Sequence, residues 1–367
     1  MKRCSRCLTP DTRPGTIFKE GVCQACINYE KRKKIDWEAR FQELVSLIDS
    51  HRFHYYDCAI AVSGGKDSHF LTYLVKAKLK MNPLLIRIGD GFGISEAGKH
   101  NIQNLKNAFG CDLLEWSLKD SLYRQMVRRA FEELGNFPVV DFLIYFAPIK
   151  IAHLLGIELV FFGEDPAYEY GTSEEEHKTV DLTAFSPVLE WMRKNFGGKE
   201  TAFFDTLEFP DVTHIYTSYY VPWSGHQNYL LAQQYGFKDL TDFTDNRGQI
   251  WRRKGSPAFY DSLDMLGWQV SHWLKWGKFG FGRATDIYSR WLRERQPLCQ
   301  DRDIALKLVK SEDGQLDPII LADFLRYTGY TEKQFWAIAK RFVNRSLFEN
   351  PDDLPNLRLA EETVGGK

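Results

Sequence analysis

Between Asp57 and Pro166, short apolar runs alternate with longer stretches whose apolar residues recur at helical spacing. The runs cover Cys58–Val62, Leu84–Ile88, Leu113–Leu118 and Glu158–Gly163. The periodic stretches cover His69–Leu79, Ser95–Phe109, Leu122–Leu134 and Phe142–Leu155. Near-continuous apolar runs suit strands buried on both faces, and their alternation with helices predicts an α/β fold with a parallel sheet. Ahead of the sheet, Trp37, Phe41, Leu44, Val45 and Ile48 stand at helical spacing and predict a connecting helix. Beyond about residue 185 the strand pattern fades. Helical spacing returns over Ser262–Trp276, Asp303–Lys310, Leu321–Tyr327 and Gln334–Val343, which predicts a mostly helical C-terminal region.

In parallel sheets, ligands collect at the carboxyl ends of the strands, near the point where strand order reverses. Three of the predicted ends carry chemistry. The first, Ser63-Gly64-Gly65-Lys66-Asp67-Ser68, lies between a strand and a helix. Two glycines without Cβ atoms let the backbone turn sharply and approach a ligand, and the helix that follows aims its unpaired N–H groups at the turn. Ser63 and Ser68 add hydroxyls, Lys66 a positive charge, and Asp67 a carboxylate able to hold a metal ion. This is a cradle for phosphate, and its string differs from the Walker loop, which needs Gly-x-x-x-x-Gly-Lys-Ser/Thr. It matches the pyrophosphate loop of enzymes that split ATP between its α and β phosphates. The second end, Arg87-Ile88-Gly89-Asp90, fits either a nucleotide contact or a local turn with an ion pair. The third, Gly163-Glu164-Asp165-Pro166, offers carboxylates for metal or substrate.

Four of the seven cysteines stand at the start, as Cys4-x2-Cys7 and Cys23-x2-Cys26. Two such pairs can converge on one ion as a tetrahedron, and a segment this short buries too little apolar surface to fold alone. Structural Zn²⁺ on Cys4, Cys7, Cys23 and Cys26 is therefore expected, with no coordination position left for substrate. The net charge of −1 gives no general signal for nucleic acid. No apolar run approaches the ~18 residues of a membrane span, and the start carries no apolar signal segment. A cytoplasmic enzyme with no nucleic-acid partner and no membrane span is the expectation.

Three later segments stand out. Lys31-Arg32-Lys33-Lys34 reads as a solvated basic face, and Glu174-Glu175-Glu176 as solvated loop. Thr213 to Tyr229 interleaves aromatic rings with amides and hydroxyls, which suits a sugar ring or a well-packed connection equally. Gly277-Lys278-Phe279-Gly280-Phe281-Gly282-Arg283-Ala284-Thr285-Asp286 reads as a second anion-facing turn, with Thr285-Asp286 as a helix cap. Arg252-Arg253-Lys254 forms a local basic patch. The domain boundaries expected from this pass are 1–30 for the cysteine module, 31–56 for the connecting helix and 57–200 for the nucleotide-binding sheet. The aromatic-rich and helical part follows over 201–348, and a flexible tail over 349–367.

With these motifs laid out, the chain resembles the N-acetyl sugar amidotransferase family, within the pyrophosphate-loop ATP pyrophosphatase superfamily. The resemblance rests on Cys4-Ser-Arg-Cys7 with Pro10-Asp11-Thr12-Arg13, Gly21-Val22-Cys23-x-x-Cys26 and Ser63–Ser68. It continues through Gly163-Glu164-x-Pro166-x-Tyr168-Glu169-Tyr170-Gly171, Tyr220-x-Pro222-Trp223 and Gly280-Phe-Gly-Arg283-Ala-Thr-Asp286. It implies a five-stranded sheet of the adenine nucleotide alpha hydrolase kind, which is Rossmann-like. It also implies a role in O-antigen or nonulosonic acid pathways, in which a sugar acetamido group becomes an acetamidino group. In the implied reaction, ATP adenylylates the acetamide oxygen, pyrophosphate leaves, and ammonia then displaces AMP. The implied roles place Ser63, Gly64, Gly65, Lys66, Asp67, Ser68, Arg87, Asp90 and Gly163 on ATP, and Mg²⁺ on Asp67 and Glu164. Lys278 and Arg283 offset charge at the α-phosphate, while Tyr168, Glu169, Tyr170, Trp223 and Asn228 meet the sugar. None of Cys58, Cys111 and Cys299 sits in a glutaminase elbow, so a separate glutaminase subunit is the implied ammonia source. The rival reading is a tRNA-thiolating enzyme, which needs reactive cysteines near ATP and a basic surface. A zinc-bearing nucleotide-binding regulator is the non-enzymatic alternative.

Overall fold

The computed structural model describes residues 1–51, 55–171, 178–297, 299–354, 356–360 and 363–364. The acidic run Glu174–Glu176 and the last residues of the expected tail lie outside that set. The chain forms two compact units. One comprises Asp36–Glu164 and His177–Lys238, and the other Met1–Ile35, Asp165–Glu176 and Asp239–Lys367.

The first unit holds a five-stranded, wholly parallel sheet: β1 Cys58–Ala61, β2 Pro83–Gly89, β3 Asp112–Ser117, β4 Leu159–Phe162 and β5 Thr213–Tyr216. Its spatial order is β3-β2-β1-β4-β5. The chain thus builds outward from β1 to β3, then returns to place β4 on the other side of β1. That reversal puts the crevice of a doubly wound sheet at the carboxyl ends of β1 and β4. The helices of this unit are α1 Trp37–Asp49, α2 Lys66–Thr72, α3 Glu96–Phe109, α4 Asp120–Leu134, α5 Pro138–Leu154, α6 Ser186–Glu200 and α7 Gly225–Gln234. Their ends follow local chemistry. Ser95 caps α3 by accepting from the Gly98 N–H at 3.0 Å, and Gly110 closes it in the left-handed region. Pro138 opens α5, where its missing N–H costs nothing. The core between sheet and helices takes Ile60, Leu71, Leu85, Leu105, Phe161 and Ile215, among others.

The four expected strands form close to their predicted bounds, and β5 is the fifth. Thr213-His-Ile-Tyr is the last strand of the sheet, paired in parallel with β4 and bridged on its other side by Thr179, and it lacks the apolar run by which the inner strands announce themselves. Helix α2 starts at Lys66, three residues before the expected His69, and continues as a π-helix over Tyr73–Lys78.

The second unit is mainly helical: α8 Val270–Phe279, α9 Arg283–Glu294, α10 Arg302–Glu312, α11 Pro318–Thr328 and α12 Glu332–Lys340. Its N-terminal part adds a two-stranded antiparallel ribbon, Phe18–Lys19 with Val22–Cys23, and a helix over Gln24–Arg32. The helix expected from Ser262 begins only at Val270, after a 3-10 turn over Gly267–Gln269. Its upstream carbonyls are held elsewhere: the Arg253 guanidinium takes those of Asp261 and Ser262, and Ser262 itself sits at φ 47°. Thr285 and Asp286 lie inside α9 rather than capping it, and Gly282 occupies the capping position. Within the basic run, Arg32 is buried, at 3.5 Å from Asp165 and over the Tyr168 ring, while Lys31, Lys33 and Lys34 are exposed.

Candidate functional site

The loop after β1 lies at the predicted crevice. Its turn is closed from within: the Ser63 N–H donates to Ser68 Oγ at 3.0 Å, and the Gly65 N–H to Ser63 Oγ at 3.2 Å. Gly64 adopts φ +89°, where a Cβ would stand 2.8 Å from Ile102 Cγ1 and 3.3 Å from its backbone nitrogen. Both the backbone conformation and the space therefore demand glycine. Gly64→Ala is expected to cost on the order of 1–3 kcal/mol, read as a lowered midpoint in urea unfolding. Gly65 takes the capping position of α2, whose first-turn N–H groups have no intrahelical partner and face the turn.

Two charged side chains occupy the loop. Lys66 is buried, and its Nζ lies 2.5 Å from Asp67 Oδ2. Asn228 on α7, 1% exposed, donates to Asp67 Oδ1 at 2.7 Å. The Asp67 carboxylate is thus held at both oxygens, each keeping a lone pair for a further partner. A Cβ on Gly225, at the start of α7, would stand 3.7 Å from Lys66 Nζ. Asn228, expected at the sugar, is therefore in direct contact with the loop's carboxylate.

Behind the loop, His69 is fully buried. Its Nδ1 lies 3.0 Å from the Gly65 carbonyl and its Nε2 3.1 Å from Asn104 Nδ2. These partners fix the Nδ1–H tautomer, which donates to Gly65 while Nε2 accepts from Asn104. Burial pushes the imidazole pKa down to about 4, against the Gly65 carbonyl, which favours the charged form. The unfolded chain takes up this proton below about pH 6.5 and the folded chain only near 4. The His69 contribution to stability is therefore complete above the unfolded value and lost as pH falls through that window. Urea unfolding between pH 7 and 4 should show a steeper loss for the wild type than for His69→Gln.

The other strand ends are placed as follows. Arg87 on β2 is buried, with its guanidinium 2.7 Å from Glu115 on β3. Asp90 accepts from the Phe92 N–H at 2.8 Å. Gly163 and Glu164 follow β4, and the Glu164 carbonyl accepts from Ser218 Oγ at 2.7 Å. Trp223 is buried against Phe70, ring centroids 5.1 Å apart, and a Cβ on Gly163 would lie 3.5 Å from it.

Tyr168, Glu169, Tyr170, Lys278 and Arg283 belong to the other unit. Glu169 pairs with Arg290, Arg283 is bidentate to Asp261, and Lys278 Nζ lies 5.2 Å from the Phe342 ring centroid. The Arg253 guanidinium of the basic patch is spent on Ala258, Asp261 and Ser262 carbonyls and on Ser256 and Gln269.

In the same unit the four N-terminal cysteines converge. Their sulfurs all lie within 4.8 Å of one another, with Cys4–Cys26 at 3.9 Å and Cys7–Cys23 at 3.6 Å. A tetrahedron of ~2.3 Å metal–sulfur bonds sets its corners ~3.8 Å apart, so the cluster has the dimensions of a thiolate metal site. Donors surround it: the Arg6 and Cys23 N–H groups reach Cys4 Sγ, and the Thr9 N–H and Arg293 guanidinium reach Cys7 Sγ, at 3.3–3.4 Å. Such bonds stabilise thiolates, which is what a metal requires. The remaining thiols, Cys58, Cys111 and Cys299, are buried, and burial pushes each up in pKa.

Residues 213–362 match the family model of the C-terminal domain of WbpG-like LPS biosynthesis proteins. Over 191 residues the chain is 26% identical to an uncharacterised protein of Methanocaldococcus jannaschii, a match spanning 49% of this chain and 65% of that protein. Solved structures are more distant. The U34-tRNA thiolase NcsA of Methanococcus maripaludis, with its 4Fe–4S cluster, is 15% identical over 98% of this chain and 94% of its own, with a TM-score of 0.33. An NMN synthetase of Francisella tularensis is 11% identical over 82% and 96%, with a TM-score of 0.30. The NH3-dependent NAD synthetase of Campylobacter jejuni is 13% identical over 58% and 90%, with a TM-score of 0.27. Likenesses at these scores carry no argument about the reaction.

Proposed function

We propose that the chain is an ATP-dependent amidotransferase that converts the acetamido group of an N-acetyl sugar to an acetamidino group. The observation that carries this reading is the Ser63–Ser68 loop at the crevice between β1 and β4, closed by its own serines. The match of residues 213–362 to an LPS biosynthesis domain supports a sugar as the substrate.

The acetamide carbonyl resists ammonia because resonance makes its carbon a weak electrophile and its oxygen a poor leaving group. Attack of that oxygen on the α-phosphorus of ATP forms an O–P bond and breaks the bond to the β-phosphate oxygen, releasing pyrophosphate. The loop N–H groups, Ser63, Ser68 and Lys66 hold the leaving phosphates, compensating charge where it develops. Ammonia adds to the imidate carbon and AMP departs with the former carbonyl oxygen, leaving the amidine. Mg²⁺ bound with ATP would supply charge neutralisation at the phosphates, and Asp67 and Glu164 are the carboxylates suited to hold it. Asn228 keeps Asp67 oriented for that task. The four-cysteine cluster is assigned to structural Zn²⁺.

Ammonia would come from a separate glutaminase, since buried thiols with raised pKa make poor nucleophiles. The same property argues against a thiolating role for Cys58 and Cys111, the cysteines of the sheet unit. The test is direct. Incubated with ATP, Mg²⁺, ammonium and a panel of N-acetyl sugars, the protein should release AMP and pyrophosphate. One sugar should become lighter by the difference between an oxygen atom and an NH group. Formation of ADP, or AMP release with no sugar altered by mass spectrometry, would overturn the proposal.

A further inference from the structure

Three segments far apart in the chain, Pro10–Arg13, Ala167–Gly171 and Gly280–Asp286, meet in the cysteine-bearing unit around one group of charges. Arg13 and Lys275 both pair with Asp286, and Arg290 pairs with Glu169. Arg283 forks onto Asp261 through Nε at 2.7 Å and a terminal nitrogen at 2.5 Å. The guanidinium carbon of Arg13 lies 5.4 Å from the Tyr170 ring centroid and 5.1 Å from that of Phe281, and Lys275 Nζ lies 4.8 Å from the latter. The Tyr170 hydroxyl feels the charges of Glu169, Arg283, Arg290 and Asp286 together.

Four cations, Arg13, Lys275, Arg283 and Arg290, thus face three carboxylates, Asp261, Asp286 and Glu169. Arg253 adds a fifth positive charge beside Asp261 and Asp317 a fourth negative one, so the excess stays at one cation. An excess of like charge in a largely desolvated place is unfavourable unless an anion completes it. The group is not sealed. The side chains of Arg13, Lys275, Arg283 and Arg290 are 15%, 24%, 15% and 16% exposed, and Tyr170 is 40% exposed. Donors also remain. A guanidinium has five N–H groups, yet Arg13 and Arg290 each commit one nitrogen to a carboxylate and Arg283 two. Planar forks with spare N–H groups beside accessible aromatic rings recognise carboxylate or phosphate.

We infer that this cluster binds the anionic group, carboxylate or phosphate, of a sugar ligand. That the ligand is a sugar rests on the function proposed above, whereas the preference for an anion does not. Four probes separate the sources in calorimetric titration of the whole chain without ATP: N-acetylglucosamine, N-acetylglucosamine 1-phosphate, N-acetylneuraminic acid and inorganic phosphate. At least one charged sugar should bind at least ~10-fold tighter than N-acetylglucosamine, and that advantage should shrink as salt rises. The tighter of the two charged sugars identifies the group as phosphate or carboxylate. In Arg290→Gln and in Lys275→Gln, each shown to be folded by a cooperative unfolding transition, the advantage should fall to less than about twofold. Arg290→Lys should recover part of it. Having two independent variants keeps the test decisive if one fails to fold. Equal binding of neutral and charged sugars, no binding by any probe, or a preference intact in both variants would overturn the inference. Inorganic phosphate binding as tightly as the sugar phosphate would overturn its sugar half. Since ATP is absent, failure here leaves the AMP-forming reading standing, and failure of that reading leaves the anion preference measurable.

Discussion

Replacing Lys66 with Ala is expected to lower AMP and pyrophosphate formation by ~10²–10³-fold, the usual cost of removing one donor aimed at developing charge. The size follows from where the ammonium sits. Lys66 is 9% exposed, at the first helical position after Gly65, in the turn that the free N–H groups of α2 face. Its nearest charge is Asp67, at 2.5 Å. Under the proposed reaction, entering phosphates would give the ammonium a stronger anionic partner, and Asp67, still held by Asn228, would be a carboxylate available to hold Mg²⁺. Without Lys66, that exchange is lost and the leaving group departs uncompensated. Lys66→Met separates charge from packing, because it retains most of the buried stem. Both variants should lose turnover alike, with melting temperatures within a few degrees of wild type. A Lys66→Met enzyme that still makes AMP at the wild-type rate would sink the assignment of this loop to ATP.

The sheet and its loaded loop were legible because both signals are local. Buried parallel strands need apolar runs, and a phosphate-cradling turn needs small residues at fixed spacing. Four strands, the loop and the cysteine spacing therefore read straight off the chain. What stayed hidden depends on partners distant in sequence. The strand Thr213–Tyr216 gains its identity from pairing with β4 on one side and Thr179 on the other. The 262–269 segment has helical periodicity, but Arg253 captures the carbonyls of Asp261 and Ser262 at its start and the helix waits until Val270. Asp286 resembles a cap residue by neighbourhood, yet Arg13 and Lys275 claim its carboxylate from inside α9. Asn228 lies in an aromatic, amide-rich stretch that suggests a sugar, and nothing local reveals its bond to Asp67 across 161 positions. Arg32 shows the same limit, being one member of a basic run drawn inward by Asp165. Burial pushes that Asp165 carboxyl up to about 8, against the Arg32 guanidinium 3.5 Å away.

Stripping metal from the cysteine cluster should have the largest effect on folding. Structural zinc contributes ~10–16 kcal/mol in small cysteine modules, comparable with the entire stability of a typical domain. Here the cluster also anchors its surroundings. The Arg302 guanidinium, at the start of α10, donates to the Cys4 carbonyl at 2.9 Å and to the Cys7 carbonyl at 3.1 Å. Arg293, buried on α9, reaches Cys7 Sγ at 3.4 Å and the Glu169 carbonyl at 3.0 Å, and its positive charge offsets that of the thiolates. Loss of the ion leaves four thiolates or thiols crowded within 4.8 Å, so the knuckles must open and both arginine anchors go with them. Elemental analysis is expected to find zinc in the purified protein, and Cys23→Ser or treatment with a strong chelator should abolish it. Amide exchange should rise across residues 1–35, the last turn of α9 and the first turn of α10. The strands β1 and β2, which belong to the other unit, should keep their protection, because their core of Ile60, Leu85 and Phe161 contains none of these residues. A chelated protein that melts as before, with residues 1–35 still protected, would show that the cysteines hold this region together without any metal.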